Sequence, residues 1–149
     1  MTRSGRHGTW LNCLRTGGIL LCLEYDTSVA GSVPSVPLVA EAVDRIERAF
    51  AAVSQSQSVG PRLARILRSA GAIDPQVIGL QRYVEPGDPT AAAMVADLSR
   101  TLLPVMVQAG IATPEEVDVD TLQARVEAAA GEYDAMMRIP ALVAGWCHR

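Results

Sequence analysis

The spacing of apolar residues changes along the chain, and each change predicts a structural element. Ile19 to Leu23 is an unbroken apolar run, which is typical of a strand buried on both faces. Between residues 38 and 53, Val39, Val43 and Ile46 recur at helical spacing with charged residues between them. The same reasoning predicts a helix over 59–70, a strand over 76–84, a helix over 88–108, a helix over 121–130 and a last strand over 141–148.

The order of these elements indicates the fold class. A strand, two helices, a strand, two or three helices and a strand follow one another, which predicts one α/β domain with at least one parallel crossover. Pro104 lies inside the helix predicted over 88–108, so we expect a kink or a break near Leu103. Thr113-Pro-Glu-Glu116 has the sequence of a capping box and predicts the start of a short helix.

Polar side chains follow the first strand. Glu24, Tyr25 and Asp26 stand at its carboxyl end, where ligands bind in open α/β sheets. Glu24 and Asp26 are two residues apart, so in an extended chain their carboxylates point the same way and suit acid–base chemistry or binding of a substrate. Arg62, near the start of the helix predicted over 59–70, is a further candidate for substrate binding. The alternative for these residues is a solvated loop and a solvated surface arginine.

Several of these segments also carry a family resemblance. Leu14-Arg-Thr-Gly-Gly18, followed by the apolar strand and Glu24-Tyr-Asp26, resembles the fifth strand of class I S-adenosylmethionine-dependent methyltransferases. The usual family form is Leu-Arg-Pro-Gly-Gly, and Thr16 stands in place of that proline. Arg68-Ser-Ala-Gly71 resembles the end of a family helix, and Pro140 to Trp146 is similar to the ending of members with a helical insert. The resemblance runs from about Leu14 to the C-terminus and covers the later half of the usual domain.

The resemblance implies a fold and an activity. The fold is an α/β, partial Rossmann-like methyltransferase sheet of three strands flanked by helices, whose last strand is antiparallel and lies between the family's fifth and sixth. Residues 1–13 are then a disordered or frayed N-terminus, and residues 14–149 are the C-terminal part of the domain, with a helical insert at about 88–135. The activity implied is methyl transfer from S-adenosylmethionine to a small-molecule acceptor. That acceptor would lie beside Glu24, Tyr25, Asp26 and Arg62, and no catalytic residue is assigned.

The cofactor-binding half of such a domain is missing from the sequence. A methyltransferase needs a Gly-rich turn after its first strand and an acidic residue after its second. The sequence has no G-x-G pattern, and Gly17-Gly18 precedes a strand instead of following one. We therefore expect a truncated chain that does not bind S-adenosylmethionine tightly by itself. The strand Ile19 to Leu23 also lacks its fourth-strand neighbour, which predicts a homodimer or pairing with another chain through its exposed edge.

Two alternatives to a methyltransferase remain open at the sequence level. The chain is then either a non-catalytic truncated product or small α/β partner-binding module, or an unrelated α/β fold. Strand order separates the last of these from the others.

Composition narrows the classes of partner. The net charge is −3, so nothing favours nucleic acid or an acidic membrane surface. All 13 cationic side chains are Arg, which excludes a lysine base and suggests a GC-rich bacterial genome. Cys13, Cys22 and Cys147 form no metal-binding pattern with His7 or His148, and their scatter favours the reducing cytoplasm. No apolar run reaches the roughly 20 residues that span a bilayer, so no membrane partner is expected.

Overall fold

The structure is a computed structural model that describes residues 7–53 and 59–149, with side chains from residue 10 onward. It is mixed α/β. Its elements in chain order are α1 His7–Asn12, β1 Ile19–Asp26, β2 Gly31–Val33, α2 Pro37–Val53, α3 Leu63–Ser69, β3 Gln76–Leu80, β4 Tyr83–Val84, α4 Thr90–Gln108, α5 Pro114–Val117, α6 Leu122–Glu132, β5 Met136–Arg138 and β6 Ala141–His148. Short 3₁₀ turns span Thr27–Val29 and Gly60–Arg62.

The described chain divides into two compact units. The first unit comprises residues 7–26, 59–80 and 141–149, and the second comprises residues 27–53 and 81–140. The second unit is thus larger than the predicted helical insert at 88–135, because it also includes α2 and the segment that precedes it.

The first unit is built on a three-stranded sheet in the order β1-β6-β3. The last strand, β6, is antiparallel to both neighbours, pairing Ile19 with His148 and Gln76 with Trp146. Because both outer strands oppose β6, β1 and β3 run in the same direction without bonding to each other. A three-stranded sheet with an antiparallel last strand was predicted, whereas every hydrogen-bonded strand pair in the described residues is antiparallel.

One face of this sheet is covered by helices. Side chains alternate between faces along a strand, so Val143 and Cys147 of β6 share a face and are both buried. They pack with Leu63 and Leu67 of α3. Between them Gly145 allows the helix to approach closely, because a Cβ there would lie 2.6 Å from Cδ2 of Leu63. This is the hydrophobic core of the first unit.

The opposite face is apolar and open. Leu23, Ala144 and Ile78 stand side by side on it, as do Tyr25, Leu142 and Leu80, and Leu21 pairs with Trp146. Leu21 and Leu23 are each 57% exposed, and Leu80 is 61% exposed. The prediction that Ile19 to Leu23 is buried on both faces is therefore wrong for this structure, because helices cover only one side of the sheet. We call the surface formed by Ile19, Leu21, Leu23, Tyr25, Ile78 and Leu80 the open face.

The second unit has a larger core. Helices α2, α4 and α6 pack together, and Val39, Met106 and Val126 are fully buried at their centre. A second small antiparallel sheet, in the order β2-β5-β4, lies in the same unit. The sequence predicted a loop over 27–37 and one strand over 76–84, whereas the structure forms β2 in that loop. It also divides the predicted strand between β3 in the first sheet and β4 in the second.

Helix α4 continues past Pro104, so of the kink or break predicted near Leu103 the break does not occur. Its buried residues lie on both sides of that proline, including Ala96 and Met106, and packing holds the helix together where a backbone hydrogen bond is lost. By length and mean hydropathy alone α4 could cross a membrane, although it contains Asp97 and Arg100, and 39% of its apolar stretch is buried. Its packing against α2 and α6 is that of a core helix, compatible with a soluble protein.

Two local predictions can be compared directly. The capping box is confirmed: the Glu116 backbone N–H donates to Thr113 Oγ1 at 3.2 Å, and the Thr113 N–H donates to Glu116 Oε2 at 2.8 Å. Residues 7–12 form α1, with Leu11 buried, where the sequence predicted frayed chain. The predicted frayed segment also included residues 1–6, which lie outside the described residues.

Candidate functional site

The structure places the three predicted residues of β1 on two different faces of its sheet. Glu24 pairs with Val143 and Asp26 with Ala141, so both acidic residues belong to the face that α3 covers. Tyr25 belongs to the open face and is 62% exposed. Glu24 and Asp26 thus share a face, as predicted from their spacing, whereas Tyr25 is directed away from them.

Arg62 lies in the same unit, at the end of the Gly60–Arg62 turn. This turn contacts the carboxyl end of β1, because a Cβ on Gly60 would lie 3.2 Å from the Tyr25 carbonyl oxygen and 2.9 Å from Cγ2 of Val143. The glycine therefore allows the turn to lie directly on the sheet. Arg62 thus belongs to a turn that contacts β1.

The thiols near this site are poor nucleophiles. Burial raises the pKa of the Cys22 thiol, and the charges of Cys147 and Glu24 raise it further. Burial also raises the pKa of Cys147. Both thiols are protonated at neutral pH, and a thiol attacks only as the thiolate. Nucleophilic attack by these thiols is therefore unfavourable at the end of β1.

A second site, which the sequence analysis did not find, is a cleft within the second unit. Its inner part is a narrow apolar slot with about 30 Å³ of free volume. Helix α2 contributes Val43 and Ile46 to the slot, and α4 contributes Met94 and Leu98. Because these residues follow helical spacing, the sequence alone assigns them to the core and does not distinguish a core from a pocket.

The outer part of the cleft is wider and polar, with about 280 Å³ of free volume. Serine and acidic side chains line it together with one arginine, namely Ser28, Ser32, Ser35, Asp44, Glu47 and Arg138. Ser32 Oγ accepts a hydrogen bond from the Val36 N–H at 2.9 Å, which helps to begin α2. Asp44 forms an ion pair with Arg48 at 3.5 Å.

Arg138 lines both parts of the cleft. It lies on β5 directly opposite Gly31 of β2, and a Cβ on Gly31 would lie 3.3 Å from Nη2 of Arg138. The Nε of Arg138 is buried and has no hydrogen-bond partner among the described residues. The sequence signal that could have found it is an arginine between Met137 and Ile139, a cation inside an apolar strand.

Metal chemistry has no support in the described part of the chain, where no three His, Cys, Asp or Glu side chains are grouped to hold an ion. The outer part of the cleft has room for a small organic molecule, whereas the slot, with about 30 Å³, is too small for an aromatic ring. Comparison of the chain with models of protein families and with curated proteins gives no match.

Proposed function

We propose that the chain is the acceptor-side part of a class I methyltransferase-like domain, and that Glu24, Asp26 and Arg62 at the carboxyl end of β1 hold the small-molecule methyl acceptor. The observation that carries this proposal is the strand order β1-β6-β3, with β6 antiparallel to both neighbours. The resemblance predicted this arrangement from the sequence, with β1 as the fifth strand, β3 as the sixth and β6 as the last.

The Gly-Gly segment supports the same assignment. The Gly17 N–H donates to the Arg149 carbonyl oxygen, and the Arg149 N–H donates to the Gly18 carbonyl oxygen, both at 3.0 Å. The segment that resembles Leu-Arg-Pro-Gly-Gly is therefore the turn that leads into β1 beside the end of β6. This is the position that the resemblance gives it.

The open face supports it as well. A Rossmann-like sheet has helices on both faces, and its strands are apolar on both sides. In the first unit, β1 is apolar on both sides but helices cover one. The open face then corresponds to the surface on which the remaining helices of such a domain would pack. The outer edge of β1 corresponds to the place of a further strand.

The residues present do not fit S-adenosylmethionine. No G-x-G turn follows any strand, and backbone approach to the cofactor depends on such a turn. We therefore derive no step through the cofactor from this chain. In the complete reaction the acceptor's nucleophilic atom takes the methyl group from the sulfonium, and the catalytic contribution of this chain is to hold the acceptor in position.

A fusion protein tests the proposal. The chain is joined behind the first four strands of a class I methyltransferase, and radiolabelled methyl transfer is measured with a panel of small aromatic acceptors. We expect product from the fusion and none from either part alone. Glu24→Ala or Asp26→Ala should lower turnover without changing the denaturation midpoint, whereas the matched control Glu115→Ala, on the exposed surface of α5, should leave turnover unchanged.

Two experimental results would contradict the proposal. A fusion that folds and binds S-adenosylmethionine but methylates nothing contradicts the proposal. So does low-micromolar binding of S-adenosylmethionine to the isolated chain with one site per chain, because this chain would then contain a cofactor site.

A non-catalytic partner-binding module is the second candidate, and the open face is the observation that favours it. In that case the chain forms a homodimer or pairs with another chain through the edge of β1. The fusion experiment separates the two candidates, since a binding module yields no methyl transfer.

A further inference from the structure

We propose that the open face of the first unit is a self-association surface, and that the group that covers it is the open face of a second copy of this chain. The two sheets pack against each other as the two layers of a small β-sandwich. This inference concerns the chain by itself and does not rest on the proposed function, in which the helices that cover this face belong to another part of the domain.

The size of the open face fits a dimer of modest stability. Its six residues are each between 50% and 62% exposed. Together they present about 600 Å² of mostly apolar surface, compared with the roughly 800 Å² that each partner contributes to a standard interface. Two copies then bury about 1,200 Å² in all, which is the lower end of the range for specific interfaces. We therefore expect a dimer that forms at micromolar concentrations and is monomeric when dilute.

No charged side chain opposes this contact. The strand register assigns to this side of the sheet only apolar residues and three uncharged polar ones, Tyr25, Gln76 and His148. The carboxylates of the same strand, Glu24 and Asp26, belong to the other side. In a two-fold dimer the same patch faces itself, so any charge on it would meet a like charge or be buried without a partner. A face without charges meets its own copy at no such cost, whereas it offers nothing to a partner that is selected by charge.

The face also has the relief that packing of two sheets requires. Ala144 of the central strand stands between Leu23 and Ile78 of the outer strands, so the middle of the face is lower than its two sides. Side chains from two inner sheet faces interdigitate in a layer about 10 Å thick. A large side chain from each copy can fill the depression above Ala144 of the other, and one two-fold axis makes both contacts.

Other occupants fit this face less well. Residues 1–6 and 54–58, which lie outside the described ranges, contain one large apolar side chain, Met1, and so lack the apolar groups that such a cover needs. A lipid surface that carries anionic headgroups attracts basic clusters, whereas this face has no Arg and the chain has a net charge of −3.

Sedimentation velocity of the isolated chain over about 1–500 µM tests the proposal, since the expected dissociation constant lies at about 10–100 µM. We expect a monomer at the lowest concentrations, a dimer at the highest, and no larger species. Leu23→Glu and Ile78→Glu should each raise the dissociation constant about tenfold or more, because each places a carboxylate in both halves of the apolar interface. Val53→Glu is the matched control, since it makes the same change at a position of α2 that is 60% exposed, and it should leave dimerisation unchanged.

The two charged variants also separate packing of the faces from pairing of strand edges. Leu23 and Ile78 flank Ala144 on opposite outer strands of the sheet. Pairing through the edge of β1 would be weakened by Leu23→Glu at most, and Ile78→Glu would leave it unchanged. Leu23→Ala, which adds no charge, should weaken the dimer about threefold to tenfold through lost apolar contact. Circular dichroism and the urea midpoint of dilute samples establish that each variant is folded.

Four results would overturn the inference. They are a monomer over the whole concentration range, a folded Ile78→Glu variant that associates like the parent chain, equal loss of association in Val53→Glu, and binding of the chain to phosphatidylcholine vesicles that Leu23→Glu abolishes. The last would make a lipid surface the occupant of the open face. None of these measurements involves S-adenosylmethionine or the fusion protein, so this inference and the proposed function can fail independently.

Discussion

The two units of this chain bury their apolar residues to very different extents. In the second unit, Met106 and Val126 are fully buried among three helices. In the first unit, helices cover one face of the sheet, and residues such as Leu21 and Ile78 are half exposed on the other. Both units have strongly apolar sequences, so composition does not explain the difference. What differs is the number of layers that each unit supplies for its own core.

The exposed apolar residues of the first unit form one continuous surface, the open face. Single exposed apolar residues are ordinary on a protein surface, whereas a contiguous apolar patch marks a surface that another group covers. The open face extends over all three strands of its sheet, and Ala144 and Leu142 of β6 continue it between β1 and β3. In the second unit, exposed large apolar residues such as Val53 and Val107 lie on different helices.

The largest expected difference between the units is in the effect of shortening one apolar side chain. Met106→Ala should destabilise the protein by about 2–5 kcal/mol, because it leaves a cavity in a closed core. Leu21→Ala should change the free energy of unfolding by no more than about 0.5 kcal/mol, since that side chain is 57% exposed. Urea denaturation of dilute samples measures both.

A large decrease in the free energy of unfolding of Leu21→Ala would contradict this comparison. It would mean that the open face is covered in solution, and sedimentation of the parent chain at the same concentration would then show an associated species. If the chain sediments as a monomer and the cost is still large, the sheet is packed differently from the structure described.

A smaller effect is expected where α3 packs on the sheet. Gly145→Ala should destabilise by about 1–3 kcal/mol, because the new methyl group would overlap Leu63 on the covered face. Gly79→Ala is the matched control in β3, since no atom lies within 4 Å of a Cβ there. Equal stability of the two variants would contradict the close contact between α3 and β6. The pair therefore tests the one closed layer of the first unit.

The sequence predicted best what short-range physics determines. The helix over 38–53 and the capping box depend on residues within a few positions of one another, and both are present as α2 and α5. The strand order of the first sheet depends on distant residues and was predicted only through the family resemblance. The pairing of Gly31–Val33 with Met136–Arg138 also joins distant segments, and neither segment has the length or alternation that predicts a strand.

The candidate sites divide in the same way. Glu24 and Asp26 were predicted to share a side from their spacing alone, and the period of a strand places them so. Their relation to Arg62 requires the contact between the Gly60–Arg62 turn and β1, which no local pattern contains. The surroundings of Arg138 could not be predicted either, because they are formed by Gly31 on one strand and by residues of α2 and α4.

The smallest expected effect tests whether a short helix belongs to the closed core of the second unit. Thr113→Ala removes the hydroxyl that accepts the Glu116 N–H and should cost about 0.5–2 kcal/mol. The full cost appears only if α5 is docked when the unit unfolds, and Val117, buried at its end, is the contact that docks it. Glu116→Gln keeps an acceptor for the Thr113 N–H and should cost less. Thr101→Ala, at an exposed position of α4, is the matched control and should change stability little. An unchanged urea midpoint for Thr113→Ala would show that α5 opens independently of the core, and the second unit would then be less closed than its buried residues indicate.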